Sequence, residues 1–106
     1  MFGFLKKEEY KTLNVNEIND LIGKIELIDI REPYEYLAGS LKTAKNIPMQ
    51  KLLKEPSKYL RDDKSYYLMC YSGSRSVRTC RYLAKQGYDV VNITGGYVSY
   101  VGTKRK

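Results

Sequence analysis

The sequence predicts an α/β fold, with a central, mainly parallel sheet of about five short strands and helices on both of its faces. Short apolar segments rich in β-branched residues alternate with segments whose apolar residues recur every three or four positions. The segment Ile25 to Ile30 is almost continuously apolar, which is typical of a strand buried on both faces of a parallel sheet. The length of 106 residues favours one domain with one core.

The first predicted strand and helix occupy residues 10–23. Tyr10 to Asn14 has the composition of a short strand. Either Asn14 or Asn16 can cap the helix that follows, and Gly23 ends it. One face of this helix is apolar and consists of Val15, Ile18, Leu21 and Ile22.

Residues 33–60 are predicted to form short elements only. Pro33 opens a short helix, which Gly39 closes. Lys45 to Ile47 is a brief strand. Met49 to Leu53 predicts one or two helical turns that Pro56 interrupts.

The last third of the chain has the clearest pattern. Strands at Ser65 to Cys70 and Asp89 to Ile93 flank a helix from Arg75 to Gln86, which Gly87 ends. A final short helix surrounds Tyr97 to Val101. The long helix has an apolar face of Val77, Cys80, Leu83 and Ala84 and a basic face of Arg78, Arg81 and Lys85.

The composition excludes several function classes. The chain has no histidine, which removes the imidazole general base, the Ser-His and Cys-His pairs and the usual zinc sites. Its two cysteines are too few for a disulfide-stapled secreted domain. Met1 to Lys7 is too short for a signal-peptide apolar segment, and no later run approaches the ~18 apolar residues of a membrane span. We expect a cytoplasmic protein with no metal, no cofactor and no membrane partner.

The net charge of +7 is concentrated in one part of the chain. Residues 1–64 carry 12 cations against 11 acids, whereas residues 65–106 carry 7 cations against Asp89 alone. Three of those seven form the terminal Lys104 to Lys106, a composition typical of a solvated tail. The other four lie close together in sequence, beside Cys70. No nucleic-acid recognition motif accompanies the charge, so no nucleic-acid partner is expected.

Cys70 is the candidate nucleophile because it ends a predicted central strand and precedes a helix N-terminus. Ligands of parallel sheets bind at this edge, and the free N–H groups and dipole of a helix N-terminus favour an anion. We expect a thiol held there to react as the nucleophilic thiolate without the help of a histidine. Arg75 adds a fixed positive charge. The small residues that let the loop curl into an anion-binding nest are Ser72, Gly73, Ser74 and Ser76.

Four separated segments are similar to the signature of one known family. IDIREPYEY (28–36) resembles D-[VI]-R-x-x-x-E-[YF], and AGSLKTAKNIP (38–48) resembles G-H-I-P-G-A-x-N-I-P. CYSGSRS (70–76) resembles C-x-x-G-x-R-S, and QGYDVVNITGGYVSY (86–100) resembles G-[FY]-x-x-V-x-x-[LV]-x-G-G. With these motifs the chain resembles a single-domain rhodanese, a sulfurtransferase with a three-layer rhodanese-like fold. The predicted domain covers residues 10–102, between a short N-terminal extension (1–9) and a basic C-terminal tail (103–106).

The resemblance implies a sulfurtransferase with a Cys70 persulfide. Cys70 would take the outer sulfur of a small anionic donor, either thiosulfate or a low-molecular-weight persulfide, and pass it to a thiol or another acceptor, including a protein acceptor. Asp29 and Arg31 would support the loop as an ion pair. The residues expected to bind the substrate are Tyr71, Ser72, Gly73, Ser74, Arg75 and Ser76.

Alternative functions of the same fold stay open at this point. A non-catalytic sulfur carrier or regulatory module would keep the fold without turnover, although the intact Cys70 and its loop argue against it. The related phosphatases and arsenate reductases have one residue more between Cys and Arg than the four found here, to fit a larger oxyanion. A phosphatase is therefore disfavoured.

Several positions depart from the family pattern or admit two interpretations. Ser40 replaces a frequent His, Lys42 and Thr43 replace Pro-Gly, and Tyr100 stands where Trp is frequent. Cys80 lies ~9 Å along the helix axis from the loop, beyond the ~7 Å Cα reach of a disulfide, which favours a core residue over a resolving thiol. The basic helix face is either solvated or a docking surface for an acidic sulfur donor or acceptor protein.

Overall fold

A five-stranded sheet forms the centre of the structure, a computed structural model that describes residues 9–106. The strands lie in the order β1-β5-β4-β2-β3, and each neighbouring pair is parallel. The predicted α/β fold with a parallel sheet is therefore confirmed. The strands are β1 (Lys11–Asn14), β2 (Glu26–Asp29), β3 (Lys45–Asn46), β4 (Ser65–Met69) and β5 (Asp89–Thr94).

Within residues 9–106, four α-helices cover the sheet, whose strands direct apolar side chains to both faces. They are α1 (Pro33–Ala38), α2 (Met49–Lys54), α3 (Pro56–Tyr59) and α4 (Ser74–Lys85). Helices α2, α3 and α4 lie on one face, called here the α4 face, and α1 lies on the opposite face with short turns before β2 and after β5. Neighbouring residues of β2 show the alternation, since Ile28 packs on the α4 face and Leu27 on the other.

The strand register brings the predicted site to the middle of the carboxyl edge of the sheet. Asp29 is the register partner of Met69, and Leu68 is the partner of Asn92. Cys70 follows β4 directly, and β4 lies between β5 and β2. The chain leaving this central strand therefore reaches the edge where parallel sheets bind their ligands.

The prediction of an α-helix over residues 15–22 is wrong. This segment forms turns and a 3₁₀ helix at Asn19–Leu21. The side chain of Asn14 accepts a hydrogen bond from the Asn16 N–H at 2.9 Å, and such local side-chain bonds compete with the α-helical ladder. The expected apolar contacts still form, since Val15, Ile18 and Ile22 are buried.

The face of α4 also differs in part from the prediction. Ser76 and Thr79 are buried together with Cys80, whereas Val77 is only half-buried. Because α4 begins at Ser74, its first turn faces the Cys70 loop, where a small hydroxyl side chain fits. The predicted basic residues, Arg78, Arg81 and Lys85, are exposed.

The C-terminal basic residues, predicted to be a solvated tail, pack on the domain instead. Arg105 forms an isolated antiparallel bridge with Leu41, and the Lys42 N–H donates to the Lys104 carbonyl at 2.8 Å. The Arg105 guanidinium lies 4.8 Å from the centre of the Tyr100 ring. Backbone pairing and cation–π contacts thus hold Lys104 and Arg105 against the domain, although their charge alone predicts a solvated tail.

Candidate active site

The loop after β4 directs two backbone N–H groups at the Cys70 sulfur. Gly73 donates to Sγ at 3.1 Å and Ser76 donates to Sγ at 3.3 Å. Gly73 precedes α4 with a left-handed φ of 106°, which glycine adopts without a steric penalty. Two N–H donors at the positive end of a 12-residue helix stabilise negative charge on this sulfur.

Ser76 also contacts Cys70 through its side chain. The thiol lies 3.5 Å from the Ser76 hydroxyl oxygen, and that hydroxyl donates to the Gly73 carbonyl at 3.1 Å. Cys70 and Ser76 are both fully buried. The sulfur is therefore held in a buried, polar cup in which electrostatic interactions are stronger than in water.

The segment after β5 supports the back of this loop. The Tyr97 N–H donates to the Cys70 carbonyl at 2.9 Å, and the Val98 N–H donates to the Tyr71 carbonyl at 3.0 Å. A side chain at Gly96 would overlap the Tyr71 carbonyl. The paired glycines of the last motif thus allow two backbone segments to approach closely.

Arg75 makes its closest contacts with Glu35 of α1. Its two terminal nitrogens donate to the Glu35 carboxylate at 2.9 and 3.1 Å, and Glu35 also accepts the Glu32 N–H at 3.0 Å within the capping box of α1. The hydrogen bond from Arg75 holds the pKa of Glu35 below its ordinary value. Arg75 thereby fastens the loop to α1, and its contact with a bound anion stays a prediction.

Asp29 and Arg31 form a buried ion pair beneath α1. Nη2 of Arg31 lies 2.7 Å from Oδ2 of Asp29 and donates to the Gly39 carbonyl at 2.6 Å. The Ser40 hydroxyl donates to the same carboxylate at 2.7 Å. The Arg31 guanidinium stacks 4.6 Å from the centre of the Tyr97 ring. This network joins α1, the end of β2 and the segment that supports the loop.

A cavity of about 280 Å³ opens beside the loop. Its charged groups are already paired, because Arg31 binds Asp29 and Glu35 binds Arg75. A larger cavity of about 490 Å³ lies by the amino ends of β2 and β4, at the opposite edge of the sheet. The smaller cavity is therefore the one that can receive a molecule reacting near Cys70. Its lining residues are Arg31, Tyr34, Glu35, Ala38, Gly39, Tyr71 and Tyr97.

Comparison with known proteins identifies the family of this chain. The sequence profile of the rhodanese-like domain matches residues 14–103. The chain belongs to the rhodanese-like domain family. A Bacillus subtilis (strain 168) protein provisionally named a sulfurtransferase is 36% identical over 100 residues, which cover 93% of this chain and 96% of that protein.

Two further relatives are similar over most of their length. A protein of Allochromatium vinosum named a sulfurtransferase is 36% identical over 75 residues, covering 70% of this chain and 69% of that protein. The crystal structure of a rhodanese-like domain protein from Staphylococcus aureus superposes with a TM-score of 0.80 at 25% identity, covering 91% of this chain and 96% of that chain. The predicted three-layer rhodanese-like fold is thus confirmed.

The structure shows where three departures from the rhodanese-like pattern lie. Ser40, in place of the frequent histidine, is fully buried and bonds to Asp29. Thr43, in place of glycine, has a left-handed φ of 67°, which costs a β-branched residue energy. Tyr100, in place of tryptophan, is buried in the core.

The other predicted residues of the rhodanese-like loop are exposed to solvent, whereas the second cysteine of the chain, in α4, is buried. Tyr71, Ser72 and Ser74 are exposed, and Tyr71 lies at the rim of the cavity. Cys80 is buried as a free thiol, and burial raises its pKa to about 12. Cys80 is therefore a core residue, the interpretation that the sequence favours.

Sequence reasoning did not assign a role to Glu35, although it belongs to the first rhodanese-like motif. Its partner Arg75 lies forty residues away in sequence, and the contact depends on how α1 packs beside the loop. The available signal was an acidic residue three positions after Glu32, the N-cap residue that precedes a short helix, which is the capping-box spacing.

Neither a metal-ligand cluster nor a membrane-spanning helix occurs in residues 9–106. No group of three or more His, Cys, Asp or Glu side chains in that range could hold a metal ion. None of the helices described is long and apolar enough to cross a bilayer.

Proposed function

We propose that this protein is a sulfurtransferase that moves a sulfane sulfur from thiosulfate or a low-molecular-weight persulfide to a thiol through a Cys70 persulfide. The family assignment and the relatives named as sulfurtransferases support the activity in general. The observation that carries the proposal is the pair of N–H donors from Gly73 and Ser76 on the Cys70 sulfur.

The first step loads the enzyme with sulfur. The Cys70 thiolate attacks the outer sulfur of thiosulfate, the S–S bond of the donor breaks, and sulfite leaves with the bonding electron pair. With a persulfide donor the leaving group is a thiolate. The outer sulfur stays on Cys70 as an anionic persulfide, whose charge the loop N–H groups stabilise.

The second step returns the enzyme to its starting state. An acceptor thiolate attacks the terminal sulfur of the Cys70 persulfide, forms an acceptor persulfide and releases the Cys70 thiolate. Neither step needs a general base, provided that both thiols react as thiolates. This agrees with a chain that contains no histidine.

The cavity beside Tyr71 supports the same proposal. Cys70 is fully buried, so the carrier group of a donor or acceptor must lie beside the loop while its sulfur reaches inward. The proposal places the reaction in the cytoplasm, where the two free thiols of the chain remain reduced.

Steady-state turnover tests the proposal. Purified protein with thiosulfate and dithiothreitol should release sulfite, and Cys70→Ser should abolish that release. Cys80→Ser is the matched control, because it makes the same change at a buried thiol away from the loop, and it should retain most of the activity. Turnover that persists in Cys70→Ser, or wild-type protein that is inert with thiosulfate and with glutathione persulfide, would refute the proposal.

A further inference from the structure

The charge of this domain is divided unequally between the two faces of the sheet. Helices α2, α3 and α4 pack together on the α4 face around a shared core. In segments 49–59 and 74–85, which contain these helices, Glu55 is the only acid. On the opposite face, segment 15–23 carries Glu17 and Asp20 and no cation, and the cations that pack on that face, Lys104 to Lys106, already bond to the domain. The exposed cations of the α4 face are Lys51, Lys54, Lys58, Arg78, Arg81 and Lys85, called here the basic surface.

The basic surface is not neutralised within the part of the chain that the structure describes. The four ion pairs found in residues 9–106 involve none of its six cations. Arg75, the other cation of α4, is paired with Glu35 and is not counted in the surface. Unpaired like charges held on packed helices repel one another, and an acidic partner would relieve this repulsion.

The basic surface begins at the active-site loop. Arg78 lies one helical turn after Ser74, ~6 Å along the axis of α4, and Lys85 lies ~16 Å along the same axis. Helix α2 packs beside α4, at a typical interaxial distance of ~8–10 Å. The surface therefore extends well beyond the dimensions of thiosulfate and beyond the ~8 Å screening length of physiological salt.

From its extent and position we infer that the basic surface docks an acidic protein that donates sulfur to Cys70 from a cysteine persulfide. A partner interface commonly covers ~800 Å² on each side, enough to include the loop and the nearby helices together. A nucleic acid would match the charge but brings no sulfur to the loop. The inference rests on the proposed Cys70 persulfide and adds the class of its macromolecular donor.

The transfer step is the loading step with a different donor. The Cys70 thiolate attacks the terminal sulfur of the partner's persulfide, the S–S bond breaks, and the partner's cysteine leaves as a thiolate. The basic surface makes no covalent contribution. It raises the rate of productive encounter, by a factor that falls as salt screens the charges.

Two synthetic peptides serve as probes for this inference. Both carry a central cysteine persulfide, which is flanked by three glutamates on each side in one peptide and by glutamines in the other. Persulfide formation on Cys70 is followed by rapid alkylation and intact mass. At low ionic strength the glutamate peptide should load Cys70 about tenfold faster than the glutamine peptide, and the ratio should approach one at high salt.

Charge-reversal variants distinguish the effect of the basic surface on the loading rate from the effect of the protein's net charge. The double variant R78E/R81E should lose about tenfold in rate with the glutamate peptide and less than about twofold with the glutamine peptide. The control K11E/K24E makes the same charge change at the amino ends of β1 and β2 and should preserve the advantage of the glutamate peptide.

Several outcomes would overturn the inference. These are equal rates for the two peptides at low salt, equal losses in both double variants, or micromolar binding of mixed-sequence RNA at physiological salt with no effect of peptide charge. Free cysteine persulfide, which carries no net charge on its backbone, checks the underlying chemistry. If it loads Cys70 while peptide charge has no effect, only the docking inference fails; if neither it nor thiosulfate loads Cys70, the proposed function fails.

Discussion

Replacing Glu35 with glutamine removes one charge of the Arg75–Glu35 ion pair while retaining the shape of the side chain. Glutamine at this position still accepts the Glu32 N–H, so the capping box of α1 is preserved. The substitution therefore tests the ion pair that joins α1 to the active-site loop, with the other contacts of Glu35 retained. The pair is bidentate, and its side chains are only 27% and 19% exposed.

The expected cost lies between that of a surface ion pair and that of a buried one. Exposed pairs contribute ~0.2–1 kcal/mol, and removing one partner of a buried pair costs ~3–5 kcal/mol. For this half-buried bidentate pair we expect Glu35→Gln to lower the free energy of unfolding by about 1–2 kcal/mol. In a domain of this size that corresponds to a decrease in Tm of roughly 5–10 °C.

The stabilisation by the Arg75–Glu35 pair should depend on pH in a defined direction. Because Arg75 lowers the pKa of Glu35 in the folded state, the stabilisation is present above the ordinary value of 4.5 and is lost as pH falls through the folded value. The stability difference between wild type and Glu35→Gln should be constant between about pH 6 and 8 and should shrink toward zero in more acidic solution.

Urea unfolding followed by circular dichroism measures this difference at each pH. Glu55→Gln is the matched control, because the structure shows no ion pair for Glu55 within residues 9–106, and it should change stability by less than about 0.5 kcal/mol. Glu35→Gln with wild-type stability at neutral pH, or with the same deficit at pH 3.5 as at pH 7, would refute the reasoning.

Three further predictions concern the loop and its surroundings. Gly73→Ala places an alanine in a left-handed conformation at a cost of ~1–2 kcal/mol and moves an N–H away from the Cys70 sulfur. Single-turnover loading of Cys70 from thiosulfate should therefore slow about tenfold, and an unchanged rate would reject the contribution of this N–H group. Thr43→Gly relieves a strained φ of 67° and should raise the free energy of unfolding by about 0.5 kcal/mol in urea, after the entropic cost of glycine; a less stable variant would contradict this. Burial raises the pKa of Cys80 to about 12, so iodoacetamide at pH 8 should modify Cys70 alone in the native protein, as peptide mapping would show; alkylated Cys80 in folded protein would count against the assignment.

The sequence predicted those parts of the fold whose signal is local. The apolar strands β2, β4 and β5 and the amphipathic α4 are continuous patterns, and the Cys70 loop follows from its position between a strand and a helix. The same local reasoning failed for residues 15–22, where the apolar spacing is helical but the Asn14 side chain bonds to the backbone and closes a turn.

The parts that could not be predicted depend on contacts between distant residues. Nothing near Arg105 in sequence indicates that it will pair with Leu41 or stack on Tyr100. The Arg75 guanidinium, expected beside the sulfur, binds Glu35 because α1 packs next to the loop. Residue type predicted which groups are charged, whereas only the packed structure shows which of them are already paired.

Intact mass of the protein after incubation with thiosulfate tests the central claim most directly. The account predicts a gain of one sulfur atom, ~32 Da, on wild type and on Cys80→Ser, reversed by dithiothreitol and absent from Cys70→Ser. An unmodified wild-type protein after exposure to both thiosulfate and glutathione persulfide, or a sulfur atom located on Cys80, would contradict it.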